Sequence, residues 1–201
     1  MKNILIIGAT GALGTTTTQT VLNETDNHLT LFARSANRIN VIDPQRETVI
    51  SGDVLNDHDL DKALVGQDAV FAALSGDLVA YAKQIVAAMD RNNISRLIFI
   101  SSMGIYNEIP ASIGISSNLE SNPILQSYRD AADIVEASNL NYTVIRPGWF
   151  TSGPVNYEIT HKGEPFGGPD VSIKSIVDLV TKLLNDDELY SCESIGINKP
   201  S

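Results

Sequence analysis

The sequence predicts an α/β architecture: one domain over residues 1–201, a doubly wound parallel sheet with helices on both faces and a small C-terminal cap. Three observations predict it. Short apolar runs alternate with stretches of helical length through most of the chain, the pattern of a parallel sheet with right-handed crossovers. Several runs are continuously apolar rather than alternating, as strands covered on both faces are. The first run also passes without a break into three evenly spaced glycines, after which a helical pattern starts.

The elements follow in order. The apolar runs are Ile4–Ile7, His28–Ala33, Thr48–Ser51, Ala69–Leu74, Leu97–Ile100 and Tyr142–Ile145, each of strand length. Between them lie the helical stretches Gly14–Asn23, Asp57–Val65, Leu78–Arg91 and Pro123–Ser138. Asn122-Pro123 reads as an N-cap followed by proline at the first helical position. Toward the end, Ile173, Ile176, Val177, Val180, Leu183 and Leu184 keep the 3.6-residue period of one more helix. Two segments break the rhythm. Residues 103–122 are roughly 20 positions of weak periodicity, a length of connection that often covers a site. Residues 148–171 are rich in glycine and proline, and Val155, Tyr157 and Ile159 alternate within them as a short edge strand would. These two segments are expected to form the cap over one edge of the sheet.

Composition bounds the partners. The chain carries 14 Lys and Arg against 24 Asp and Glu, a net charge of −10. That surface argues against non-specific binding to nucleic acid or an anionic membrane, so any anion must be met by a local positive site. A single cysteine, Cys192, permits no intrachain disulfide. His28, His58 and His161 lie too far apart in sequence for a common zinc spacing, so no metal is expected. No apolar run approaches the roughly 18 residues of a spanning helix, and the N-terminus does not read as a signal peptide. A cytoplasmic protein is expected.

The glycine-rich turn reads Gly8-Ala9-Thr10-Gly11-Ala12-Leu13-Gly14, directly after Ile4–Ile7. A strand that turns sharply into a helix needs glycine first (Gly8). A backbone that approaches a pyrophosphate needs a second (Gly11). A helix packed tightly on its strand needs a third (Gly14). Phosphates then sit at the positive end of the helix, on N–H groups that lack partners. The spacing is GxxGxxG rather than the GxGxxG of many dehydrogenases. Gly8, Thr10, Gly11, Ala12, Leu13 and Gly14 are therefore candidate dinucleotide-binding positions.

A second signal lies at the end of the second strand. NAD-binding chains usually carry an acidic residue there for the ribose 2′-hydroxyl. Here the strand ends at Arg34, with Ser35 next and Arg38 one turn on. A carboxylate would repel a 2′-phosphate, whereas a guanidinium bonds it bidentately. The expected cofactor is thus NADP, with NADPH preferred over NADH, and Arg34, Ser35 and Arg38 as its contacts.

With these residues in place, the sequence resembles the atypical short-chain dehydrogenase/reductases of Rossmann-type fold, specifically their NmrA-like, NAD(P)H-binding group. The resemblance covers nearly the whole chain. It is carried by Gly8–Gly14, Ser51–Val54, Phe99–Tyr106, Tyr128–Asp133 and Tyr142–Phe150. It implies roles position by position. Asp53 would meet the adenine amino group, with Val54 beside the ring, and Ala73, Leu74 and Ser75 would line the adenosine ribose. Ser101 and Ser102 end the fifth strand, and Ser102 matches the serine that bonds a substrate carbonyl. Pro147, Gly148, Trp149 and Phe150 match the segment that holds the nicotinamide carboxamide.

One departure changes the chemistry expected. Active members of the group carry Tyr-x-x-x-Lys on the helix after the long loop, and those positions are Ile124 and Tyr128 here. Tyr128 stands where the lysine would be. It reads either as a ribose contact or substitute proton donor, or as a core residue in the stripe Leu125, Tyr128, Ala132, Val135. Tyr106 is a further hydroxyl expected near the nicotinamide. Without the Tyr/Lys pair, a ketone lacks its proton donor, a loss of about 10²–10⁴-fold. Quinones and flavins are less affected, because their reduced anions are delocalised and take protons from water. The expected activity is hydride transfer from NADPH to a small electron-poor acceptor (quinone, flavin or activated carbonyl). Ser102, Tyr106 and Tyr128 are its catalytic candidates, and Trp149 and Phe150 are candidates to stack on the acceptor. The alternative is a non-catalytic NAD(P)-binding redox sensor acting through a protein partner. An epimerase or dehydratase is disfavoured by length and by the missing pair.

Overall fold

A computed structural model describes residues 1–200 of the chain. Its strands and helices run β1 (Asn3–Ile7), α1 (Ala12–Glu24), β2 (His28–Ala33), β3 (Glu47–Ser51), α2 (Asp57–Leu64), β4 (Ala69–Ala72), α3 (Leu78–Arg91), β5 (Arg96–Ile100), α4 (Leu125–Glu136), β6 (Asn141–Pro147), β7 (Trp149–Thr151), β8 (Glu158–His161), β9 (Asp170–Ser172), α5 (Ile173–Asn185) and β10 (Glu193–Asn198).

Eight strands form one sheet in the order β3-β2-β1-β4-β5-β6-β10-β8. Every pairing is parallel except the last, where β8 lies antiparallel on β10. The chain winds outward from β1 to β3, then returns to place β4 on the other side of β1. That reversal makes the carboxyl ends of β1 and β4 the switch point at which such sheets bind ligands. The fold is thus the single-domain α/β arrangement expected from the alternation of runs.

The continuous apolar runs have a direct structural cause. Leu5, Ile7, Val70, Ala72, Leu97, Phe99 and Val144 face α2, α3 and α4, where they meet Leu60, Ile85, Met89 and Val135. Their strand neighbours Ile4, Ile6, Phe71, Ile98 and Ile145 face α1 and α5, where they meet Val21, Ile176, Val180 and Leu184. Both faces are dry, so neither needs polar residues.

All six expected strands form, with ends shifted by a residue or two. The expected Ala69–Leu74 run stops pairing as a strand at Ala72, and Ala73–Ser75 leave the sheet. The first helix starts at Ala12 rather than Gly14. The fourth starts at Leu125 rather than Pro123. Asn122 Oδ1 does accept the Ile124 N–H (3.3 Å), as a cap would. The first turn, however, closes with three-residue spacing, Leu125 N–H to Asn122 O and Gln126 N–H to Pro123 O, so the regular helix begins later. The expected edge strand forms as β8 but lies later, over Glu158–His161, so that of Val155, Tyr157 and Ile159 only Ile159 is within it. Strand β10 was not anticipated. Its inward Ile195 and Ile197 are only two apolar positions, too few to stand out beside Gly196 and Asn198. The short parallel ribbon of β7 with β9 was also unforeseen. Among the described residues no helix is long and apolar enough to cross a membrane.

Candidate functional site

Two clefts open along the edge where the parallel strands end. The first, about 260 Å³, lies over the carboxyl ends of β1, β2 and β4. Its wall includes Gly8, Thr10, Gly11, Arg34, Ser35, Arg38, Asp53, Val54, Ala73, Leu74 and Ser75. Eleven residues expected at a dinucleotide thus share one cavity, although they come from four separate stretches of chain. Ala12, Leu13 and Gly14 do not line it; they form the first turn of the helix that starts at its rim. Ala72, at the end of β4, is buried below it.

The glycines are required by close approach. Gly8 has φ +89°, and a Cβ there would stand 2.1 Å from the Ala73 carbonyl oxygen. A Cβ on Gly14 would stand 2.3 Å from the Gly8 carbonyl oxygen. Chain and helix therefore pack with no room for a side chain. Gly11 caps α1 without any side-chain hydrogen bond, and the first turn contains no acidic residue. The leading N–H groups of the helix are left open toward the cleft, with the positive end of its dipole behind them.

Arg34 and Arg38 stand exposed at the mouth of the cleft. Neither forms an ion pair among the described residues, whereas Arg46, Arg91, Arg129 and Arg146 each hold a carboxylate. In a chain of net charge −10, two adjacent guanidinium groups without a carboxylate make a local positive field. Asp53 is partly engaged, because its Oδ1 accepts the Leu55 N–H (3.0 Å). Five wall residues were missed: Ile7, Phe32, Ala33, Gly52 and Tyr81. Gly52 lies inside the Ser51–Val54 stretch, and its missing side chain makes room for the Phe32 ring, 2.6 Å from where a Cβ would be.

The second cleft, about 350 Å³, lies over the ends of β5 and β6. Ser101, Ser102, Tyr128, Pro147, Gly148, Trp149 and Phe150 all line it, as expected for the opposite end of the dinucleotide and its acceptor. Ser101 is buried; its N–H donates to the Ile145 carbonyl (2.8 Å) and its hydroxyl to the Tyr128 carbonyl (3.2 Å), tying β5 to β6 and α4. The Ser102 hydroxyl donates to the Met103 carbonyl (3.1 Å). Tyr128 is half-buried: its ring packs on the core under α4 and also lines the cleft. Ile124, at the position where a tyrosine was sought, does not line the cleft and is 75% exposed. Gly148 lets the chain pass close to β9, since a Cβ there would meet the Pro169 carbonyl at 2.9 Å. Met103, Ser117, Asn122 and Leu125 complete the wall and were not anticipated, because the weakly periodic loop gave no pattern to read.

Tyr106 requires a correction. It lines neither cleft. Its hydroxyl donates to the Glu136 carboxylate and lies 3.3 Å from Ser194 Oγ. Arg129, Arg146 and Lys162 surround its ring at 4.7, 5.1 and 4.3 Å. Burial, and next the Glu136 carboxylate, push its hydroxyl well above the usual tyrosine range. Its hydroxyl is thus engaged within the fold, away from both cavities.

That cluster anchors the second cleft. Arg146, at the end of β6, is fully buried and pairs with the buried Glu108 carboxylate. Glu108 also accepts the N–H groups of Gly104 (3.1 Å) and Tyr106 (2.8 Å), and its carbonyl accepts from Phe166 N (3.0 Å). Met103, Ile109 and Phe166 then close a small apolar cluster. The segments 103–122 and 148–171 are thereby joined to each other and to β6.

Comparison with known proteins places this geometry. The chain matches the model of the NAD(P)H-binding family over residues 8–187. It is similar to a Rossmann-fold NAD(P)-binding family protein from Shigella flexneri, at 39% identity and TM-score 0.87, covering 100% of this chain and 95% of that one. It is similar to a short-chain dehydrogenase/reductase from Veillonella parvula solved in complex with NADP, at 32% identity and TM-score 0.91, again over 100% and 95%. An anaerobillin reductase from Escherichia coli O157:H7 shares the fold alone, at 18% identity and TM-score 0.82, over 99% of this chain and 98% of that one. A glycine-lined switch point, a helix terminus open toward it and a matched family model agree: the chain belongs to the NAD(P)H-binding family of Rossmann-fold oxidoreductases, as an atypical short-chain dehydrogenase/reductase.

Proposed function

We propose that this chain is an NADPH-dependent oxidoreductase that delivers hydride to a small electron-poor acceptor, a quinone, a flavin or an activated carbonyl. The observation that carries the reading is the pairing of the two clefts on one sheet edge. One has open helix N–H groups and two unpaired arginines; the other has serine and tyrosine hydroxyls and two exposed aromatic rings.

The residues fit the cofactor. The side-chain-free cradle of Gly8, Gly11 and Gly14 suits a pyrophosphate against the N–H groups of Ala12 and Leu13, with Thr10 beside it. Arg34, Ser35 and Arg38 would hold a 2′-phosphate. Asp53 and Val54 would meet the adenine, and Ala73, Leu74 and Ser75 its ribose. Ser101 and the Pro147–Gly148 backbone would hold the carboxamide. When bound, NADPH supplies the hydride. The chain's own part is then to orient the acceptor. Ser102 and Tyr128 offer hydroxyls to its oxygen atoms, and Trp149 and Phe150 offer flat faces to its ring. Segments 103–122 and 148–171 act as the cap that limits how large an acceptor enters. The 2′-phosphate contact is supported by Arg34 and Arg38 lacking carboxylate partners, and by the Veillonella parvula relative having been solved with NADP.

The test is turnover. Pure protein is mixed with NADPH and a panel of quinones, flavins and activated carbonyls, and loss of the reduced-nicotinamide absorbance is followed. Oxidation with at least one acceptor is expected. Tight NADPH binding with no oxidation by any acceptor would overturn the enzyme reading in favour of a redox sensor.

A further inference from the structure

Every described residue lining the second cleft is uncharged. Met103, Leu125, Trp149 and Phe150 supply apolar surface, and Ser117 and Asn122 supply neutral hydrogen-bonding groups opposite them. In the first cleft, by contrast, Arg34 and Arg38 face the cavity. The chain therefore has cations to place at a ligand site and places them on one side only.

This asymmetry selects among acceptors. An ionised carboxylate, phosphate or sulfonate that enters an apolar wall without a partner loses its hydration and gains nothing in return. The field of a chain with net charge −10 adds repulsion. A flat, neutral ring with carbonyl oxygens loses little hydration, stacks on exposed indole and phenyl faces, and finds amide and hydroxyl donors for its oxygens. We infer that the second cleft takes an uncharged planar quinone and discriminates against anionic acceptors, including flavin phosphates and carboxylate-bearing ring systems. This narrows, and rests on, the oxidoreductase reading above. In the reaction the quinone takes up a hydride and one proton from water. The C–H bond of the reduced nicotinamide breaks, the quinone becomes a hydroquinone, and the nucleotide is left oxidised.

The experiment compares an unsubstituted naphthoquinone with its ring sulfonate, using the full chain and NADPH. The sulfonate is the stronger electron acceptor, so intrinsic reactivity favours it and selectivity by the cleft opposes that trend. The expected result is a kcat/KM for the neutral quinone about tenfold or more above that of the sulfonate, which is about 1.4 kcal/mol of discrimination. Ser117→Lys, which adds a cation to the wall, is expected to narrow that ratio while NADPH affinity stays unchanged. A wild type that reduces the sulfonate as well as or better than the neutral quinone overturns the inference and leaves the oxidoreductase reading standing. A ratio unmoved by Ser117→Lys overturns the assignment of selectivity to this cleft. No oxidation of NADPH by either quinone, or by the wider acceptor panel, removes the oxidoreductase reading and this inference with it.

Discussion

The two clefts sit on the same sheet edge and are built in opposite ways. The first is made largely of backbone: glycines whose missing side chains let β1, α1 and the Ala73 turn approach, with Arg34 and Arg38 as its cations. The second is made of side chains brought by loops and held by a buried ion pair, Arg146 with Glu108. A backbone site tolerates few substitutions, because a Cβ at Gly8 or Gly14 would collide with neighbouring backbone. A side-chain site on a pinned loop can change its chemistry one residue at a time, and Ile124 and Tyr128 stand at the positions where the resemblance leads one to expect a Tyr/Lys pair. On the proposed reading, the glycine cleft sets the cofactor class and the looped cleft sets the acceptor class.

That contrast can be broken most severely at the ion pair. Glu108→Gln leaves the Arg146 guanidinium buried without its charge partner, and a loss of about 3–5 kcal/mol of stability is expected in denaturant unfolding. An unfolding midpoint equal to wild type would show that the loop is held by something else. Gly8→Val comes next. Its Cβ would collide with the Ala73 carbonyl, at a backbone angle that L-residues avoid. NADPH affinity, followed by nucleotide fluorescence, is expected to fall at least about tenfold, which corresponds to about 1.4 kcal/mol. Tyr128→Phe sharpens the comparison by doing little: quinone reduction should change by no more than about threefold, against the 10²–10⁴-fold cost of losing a required proton donor. A larger loss would make Tyr128 the acid that replaces the missing pair.

The smallest effect concerns pH. Burial and the Glu136 carboxylate raise the Tyr106 hydroxyl above its ordinary value of 10.0. The folded chain thus holds that proton more tightly than the unfolded one. The resulting stability is fully present below pH 10 and is lost as pH rises beyond it. Thermal melting across that alkaline range should show a downward slope in the wild type that is shallower in Tyr106→Phe.

Much of the first cleft was legible from sequence because its determinants are local. Gly8 to Gly14 stand at fixed spacing after an apolar run, and Arg34 ends the next one, so strand order alone brings them together. The sheet was legible for the same reason, since two dry faces force continuous apolar runs. The rest was set by distant partners. Tyr106 is three residues past Met103, which does line the second cleft, yet Glu136 and Ser194, both far along the chain, draw its hydroxyl elsewhere. Ser117 and Asn122 reach the second cleft on a stretch held by contacts distant in sequence: Leu119 N–H donates to the Gly104 carbonyl (2.9 Å), and the Asn118 side chain bonds both backbone groups of Ile109. Strand β10 stayed hidden because its inward face is two isoleucines long.

On the proposed reading, the local positive field at the first cleft reads a 2′-phosphate. Titration of NADPH and NADH into the wild type and into Arg34→Ala tests it most directly. Loss of a charge-assisted contact is worth about 1.5–3 kcal/mol. NADPH is therefore expected to bind about tenfold or more tightly than NADH to the wild type, with most of that preference gone in the variant and NADH binding little changed. Equal affinity of the wild type for the two nucleotides would contradict it.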